Sequence, residues 1–136
     1  VNMYSTLGFL LIAQGDQTGD YQKALDFNRK AYDYDDTDAS VVDNLGQVLY
    51  RTGEIEEAEK MFEKALSIKP TQFDTLFFLS RIRISQDRVE EAKKMLDTAL
   101  DKTYSVFNTV PRENAIELAR SIGMDLSVYD DIPAEN

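Results

Sequence analysis

The chain has no cysteine, no histidine and no tryptophan among its 136 residues, and only three prolines. Without cysteine there is neither a disulfide nor a thiol nucleophile. Without histidine the commonest general base and most zinc and haem ligand sets are gone as well. Positive charge is scarce: 15 Lys and Arg stand against 25 Asp and Glu, a formal charge of −10. Such a surface repels phosphate backbones and anionic membranes, so nucleic acid is not an expected partner. The longest apolar run, Leu7 to Ala13, has seven residues, far short of the roughly 18 to 20 that cross a bilayer, so membrane insertion is not expected. No targeting segment is visible, and a first residue that is Val rather than Met suggests an excised or processed piece. What is left, 43% apolar and 29% charged residues, describes one soluble globular domain.

A repeat organises the sequence. Ala24, Ala58 and Ala92 are spaced by 34 residues, and so are Ala31, Ala65 and Ala99. Gly19 and Gly53 keep the same spacing, with Asp87 standing where a third Gly would fall, and Leu45 and Leu79 keep it too. Each unit reads as two helices and a tight turn. Asp38 caps a helix from Ala39 to about Arg51; Thr52-Gly53 breaks it; a second helix runs from about Ile55 to Ile68, and Pro70 stops it. In the third unit Thr71 opens a helix with Asp74 three residues on, a capping-box-like arrangement, and Gln86-Asp87-Arg88 turns into Val89 to about Lys102. The first unit has helices from about Asn2 to Gln14 and from Asp20 to Tyr34. A seventh helix, about Val110 to Ile122, carries Pro111 in its first turn. Beyond Gly123 the acidic tail, residues 123–136, lacks periodicity and is expected to fray.

Laid out this way, the middle unit resembles a tetratricopeptide repeat (TPR). That pattern asks in turn for Leu-Gly, an aromatic or Leu, a turn Gly, Ala, an aromatic, Ala and a closing Pro; Leu45, Gly46, Leu49, Gly53, Ala58, Phe62, Ala65 and Pro70 supply them. The third unit keeps Leu79, Ser80, Ala92, Leu96 and Ala99 but departs at Arg83, Asp87 and Tyr104. The first keeps Gly19, Ala24 and Ala31, with Asn28 and Asp36 where an aromatic and a Pro belong. Leu7-Gly8 lies 38 residues before Leu45-Gly46; the four extra residues are about one helical turn and preserve the facing of the apolar stripe. The resemblance implies an all-α fold, a right-handed α-α superhelix of three TPR helix pairs (about 1–38, 39–72 and 73–106) with a capping helix at about 110–122. The opening YSTLGFLLIAQGD and the closing set Phe107, Pro111, Ala115 and Ala119 resemble the C-terminal end of long bacterial TPR proteins, some of which serve envelope or exopolysaccharide assembly.

Chemistry is harder to find. Asp33, Asp35, Asp36 and Asp38 invite a calcium reading, but with Asp33 first the loop would need Gly where Asp38 stands and a bidentate Glu where Asn44 stands, so an inter-repeat turn with a helix cap explains them. Gly15 to Asp20 lacks the lysine of a phosphate loop and reads as a turn. No nucleophile has a base beside it, so the chain reads as a non-enzyme without cofactor or metal. The resemblance implies a scaffold that holds a peptide or protein segment in a concave groove. In the family four positions spaced 3, 4 and 3 along each leading helix line that groove, and this spacing does select one helical face. They fall on Asn2, Ser5, Phe9 and Ile12; on Ser40, Asp43, Gln47 and Tyr50; and on Asp74, Phe77, Arg81 and Ile84. Tyr50 and Phe77 are the expected anchors, and a partner that is basic overall suits the acidic body. The family's two-cation clamp for chaperone tails is not expected, since Ser5, Phe9, Asn44, Asp74 and Phe78 occupy its places and only Asn44 fits. The alternative is a structural terminal segment of a longer array, or a module that self-associates through the outer faces of its first and last helices. One substitution tests the repeat itself: Ala58→Leu is expected to lower stability by about 1 to 3 kcal/mol, because added methylenes must fit at a helix crossing built for a small residue. An unchanged unfolding midpoint in urea would remove the assignment.

Overall fold

The computed structural model describes residues 3–101, 104–105 and 108–134; the groove position expected at Asn2, the helix end expected at Lys102 and Phe107 lie outside them. The described residues form seven α-helices in two compact units, 1–70 and 71–136. The first unit holds α1 (Met3–Thr18), α2 (Gln22–Tyr34), α3 (Ala39–Arg51) and α4 (Ile55–Ile68). The second holds α5 (Phe73–Ser85), α6 (Val89–Leu100) and α7 (Arg112–Ser121). Neighbours in sequence pack as pairs, α1 on α2, α3 on α4 and α5 on α6, while α3 also packs on both helices before it and α7 on α6.

The pairs close up where the sequence places small residues. Ala24, Ala58, Ala92, Ala31, Ala65 and Ala99 are all buried. A Cβ on Gly46 would lie 2.6 Å from the Phe62 ring, so the glycine is what lets α3 and α4 cross at this distance. At the equivalent place in the first pair a Cβ on Gly8 would fall 2.2 Å from Asn28 Oδ1. Asn28, standing where an aromatic was expected, donates from Nδ2 to the carbonyls of Ala24 (2.8 Å) and Gly8 (3.3 Å) and so ties the two helices by hydrogen bonds instead of ring contact. In the third pair Ser80 and Leu96 are the buried counterparts, and the Ser80 hydroxyl is satisfied by the Phe77 carbonyl at 2.7 Å.

The turns share one closure. Gly53 has φ 87°, and Glu54 N–H returns to the Leu49 carbonyl at 2.9 Å. Asp87 has φ 60°, and Arg88 N–H returns to Arg83 at 2.8 Å. Both are the six-to-one bond of a helix that ends in a left-handed residue. The third unit thus makes its turn with a residue that lacks glycine's freedom.

Several sequence expectations shift. α1 runs on to Thr18, so the extra four residues lengthen the helix, and Gly15 to Thr18 are helical rather than part of a turn. Gly15 is buried there, with the Tyr21 ring where its Cβ would be. The N-cap of α5 is Gln72, whose Nε2 donates to Thr75 Oγ1 (3.0 Å), so Thr71 and Asp74 form no capping box. Pro111 is the N-cap of α7, not a first-turn residue. The tail does not lie free of the fold: Leu126 and Ile132 are buried, Tyr129 donates its hydroxyl to Asp97, Arg112 pairs with Asp131 at 3.2 Å, and Arg120 donates to the Pro133 carbonyl at 3.0 Å. Two apolar residues six apart with cationic anchors on α7 hold this segment down without any helical periodicity.

Asp74 fixes how the segment before α7 meets α5. Its carboxylate accepts from Thr109 N–H (2.9 Å), Thr109 Oγ1 (2.7 Å) and Val110 N–H (3.0 Å). Burial raises the carboxyl above its usual range, and these three donors pull against that shift. Because the folded value is the higher, folding binds this proton more tightly, and the cost of the buried charge grows as pH rises from the unfolded value through the folded one.

Two substitutions follow from these features. Asp87→Gly is expected to stabilise the chain by about 0.5 to 1 kcal/mol, since glycine adopts this φ without strain, read as a higher urea midpoint than the parent. Asp74→Ala removes the acceptor of three donors and is expected to cost about 2 to 4 kcal/mol, with earlier proteolytic cleavage in the stretch that leads into α7. A variant as stable and as resistant as the parent would mean that this carboxylate does not hold the segment.

Candidate functional site

The leading helix of each pair is α1, α3 or α5, and the expected groove residues fall on their faces, in each unit separately. In the first unit Ser5 and Phe9 on α1 are half-buried. On α3 Ser40 is exposed and Tyr50 half-buried, but Asp43 and Gln47 are both nearly inaccessible, 2% and 1% exposed. These two are joined to each other: Gln47 Nε2 donates to Asp43 Oδ2 at 2.7 Å. The line continues one turn further, with Arg51 Nη1 donating to the Gln47 carbonyl (3.3 Å) and to its Oε1 (3.4 Å).

Arg51 then reaches across to α1. Its Nε and Nη2 meet the two oxygens of Asp16 at 2.7 and 3.3 Å, and the Tyr21 hydroxyl donates to the same carboxylate at 2.6 Å. Partial burial would raise the Asp16 carboxyl, but the hydrogen bonds from Arg51 and Tyr21 and the guanidinium charge outweigh it and hold it below its usual value. The sign is opposite to that of Asp74: this contribution to stability is present above the unfolded value and is lost as pH falls through the folded one. Sequence spacing singled out Asp43 and Gln47 but missed that Arg51, four residues further along the same face, completes a ladder ending on α1. The four-residue spacing 43, 47, 51 was the available signal. Beside its outer end a shallow cavity of about 440 Å³ is lined by Gly19, Asp20, Tyr21, Gln22, Leu25, Arg51 and Thr52.

In the second unit Asp74 and Phe77 are buried, at 7% and 5% exposure. Asp74 is taken up by Thr109 and Val110, and the Phe77 ring stands edge-on to Phe78 with centroids 5.3 Å apart. Arg81 is exposed, with its guanidinium 5.8 Å from the Phe77 ring centroid, and Ile84 is half-buried. The geometry therefore divides the expected set. Ser5, Phe9, Ser40, Tyr50 and Arg81 keep accessible surface, while Asp43, Gln47, Asp74 and Phe77 are engaged within their own units.

Asn44, the one residue suited to the chaperone-tail clamp, is buried and donates its amide to the Ser5 carbonyl at 2.8 Å. The acidic stretch is also accounted for: Asp38 accepts from Ser40 and Val41 N–H as the cap of α3, Asp35 accepts from Thr37, and Asp36 pairs with Lys64 at 3.0 Å. Among the described residues no helix is long and apolar enough to cross a membrane.

Residues 1–71 match one description of the tetratricopeptide repeat and residues 56–105 match a second. No curated protein matches the sequence. Among solved structures the fold is similar to the type III secretion translocator chaperone SycD of Yersinia enterocolitica, in a structure described as an alternative dimer. The TM-score is 0.61 at 18% identity over 88% of this chain and 83% of that one. Three successive helix pairs and a seventh helix, without a strand among the described residues, make this an α-α superhelical repeat of the kind used as a protein–protein interaction scaffold and typically without enzymatic activity. The chain belongs to the tetratricopeptide repeat family.

Proposed function

We propose that the leading-helix faces hold a peptide or protein segment of a partner, in the concave groove of the repeat, with Phe9 and Tyr50 as apolar anchors in the first unit and Arg81 as the cationic contact in the second. The observation that carries this reading is the mixture found on α3. Its buried polar groups are engaged, Asp43 with Gln47 and Gln47 with Arg51, yet the next groove position, Tyr50, is only half-buried. An aromatic side chain left half-open on an otherwise satisfied face brings large contact area to a partner at little rotamer cost. The net charge of −10 favours a partner that is basic overall, with an acidic side chain of its own directed at Arg81.

Phe77 is unsuited to a test of binding, since at 5% exposure its truncation would disturb the second unit itself. Tyr50→Ala combined with Arg81→Ala is expected to weaken partner binding by about 2 to 4 kcal/mol in total, with helical circular dichroism unchanged. The measurement is a pull-down from the source cell with parent and double variant, followed by titration of the recovered protein. Recovery of the same proteins in the same amounts by both would exclude the groove.

A further inference from the structure

A left-handed residue ends α7 as it ends α3 and α5. Gly123 has φ 78°, and Met124 N–H returns to the Ala119 carbonyl at 3.0 Å, the same closure as at Gly53 and Asp87. After those two turns the chain enters the second helix of its pair, α4 or α6. After Gly123 it enters no helix, and residues 124–134 run back along α6 and α7 through turns and irregular backbone.

Counted from the turn, three residues oppose a helix there. Seven before the left-handed residue stand Gly46, which lets Phe62 come close, and its small counterpart Ser80; α7 has Ile116 at that place. Five after it stand Ala58 and Ala92, both wholly buried, and after α7 stands Val128, 71% exposed. Ten after it, inside α4 and α6, stand Glu63 and Asp97; after α7 comes Pro133, which lacks the N–H and crowds the preceding turn of a helix. α7 is thus placed like the leading helix of a fourth pair whose second helix cannot pack.

What covers it instead is a strap. Ile132, nine residues after the turn like Phe62 and Leu96, is buried, and so is Leu126. The rest is held by polar contacts: Tyr129 donates to Asp97 on α6, Asp131 meets Arg112 at 3.2 Å, and the Pro133 carbonyl accepts from Arg120 at 3.0 Å. Arg112, Ile116 and Arg120 follow one another at four-residue spacing and so share one side of α7, an apolar residue between two cations. The strap brings the complement, since residues 129–132 are Tyr-Asp-Asp-Ile. Its attachment is slight beside that of a helix: two buried apolar side chains, exposed polar contacts, and single-turn bonds from Tyr129 N–H to Leu126 and from Ile132 N–H to Tyr129. Segments of that kind open at the low end of a protein's stability range. We propose that the side of α7 formed by Arg112, Ile116 and Arg120 is a binding surface for an acidic, apolar segment, and that residues 124–134 occupy it in cis as a latch that opens locally while α5 to α7 stay folded. This does not depend on the groove reading, because none of the groove residues lies on α7.

The probe is a fluorescently labelled peptide of residues 124–136, titrated by anisotropy against the full chain. In the parent the surface is already filled by a tethered copy at high effective concentration. Leu126→Asp with Ile132→Asp removes the apolar anchors of the latch, and this variant is expected to bind the peptide at least about tenfold more tightly than the parent does, with helical circular dichroism unchanged. Added salt, or Arg120→Ala in the same variant, should weaken that binding, since the cations on α7 recognise the acidic segment. Hydrogen exchange of the unaltered chain gives a second measurement that needs no substitution: the Tyr129 and Ile132 amides should exchange through an opening that urea does not promote, while the Ile116 and Ala119 amides should follow global unfolding. Equal affinity of parent and variant, no binding by either, binding indifferent to salt and to Arg120, a variant that loses helix, or strap amides that exchange only together with those of α7 would each overturn the proposal.

Discussion

Everything in the first unit depends on how close α3 can come to α4. Because Gly46 has no Cβ, which would stand only 2.6 Å from the Phe62 ring, the aromatic can pack against the partner helix, and Ala58 is fully buried. The pair thus becomes thin enough for α1 and α2 to stack against α3. The contact is mostly dispersion, weak per atom and dependent on tight fit, so small residues at the crossing do more for this architecture than any of its charged contacts. Arg29 with Glu57 joins α2 to α4 at 2.9 Å and Lys64 joins α4 to Asp36 in the turn after α2 at 3.0 Å, but these pairs are partly exposed and contribute little.

The first pair shows the same constraint met by other chemistry. Asn28 replaces the ring and uses its amide to bridge two backbone carbonyls, at the cost of leaving its own Oδ1 buried without a hydrogen-bond partner. The added turn of α1 raises a further problem, since it carries the helix past the place where its partner begins. Gly15 admits the Tyr21 ring there, and Asp16, next along, receives both the Tyr21 hydroxyl and the Arg51 guanidinium. An insertion in one helix is thereby tied to its own partner and to the next pair.

Much of this was legible before any coordinates. The alanine ladders gave the pairs, and α3 and α4 have the bounds that Asp38, Thr52-Gly53 and Pro70 announce, because caps and breakers act through local backbone chemistry that sequence displays directly. What the spacing did not show has one cause. Asp74 looked like a helix-start acid or a groove residue, and Asp43 and Gln47 like groove residues, because helical spacing reports the face a side chain occupies but not what comes to meet it. Thr109 lies 35 residues from Asp74, and Asp16 35 from Arg51; contacts at that separation leave no periodic trace. The tail escaped notice for a related reason: Leu126 and Ile132 bury themselves through a turn-rich segment, to which amphipathic patterning is blind.

The helices α1 and α7, one in each unit, differ in what covers them, and charge accounts for the contrast. On α7, Arg112 and Arg120 attract an acidic segment and a carbonyl of the same unit, so its surface is covered intramolecularly. On α1 the residues from Met3 to Gly15 offer no cation for such a segment to seek, and the acidic remainder of the chain gains nothing by folding over them. The leading-helix faces differ from that face of α1, each within its own unit: Tyr50 lies beside the engaged Gln47 and Arg51 on α3, and Arg81 lies over the Phe77 ring on α5. One repeat fold can in this way carry helix faces of unlike chemistry, one apolar and the others mixed.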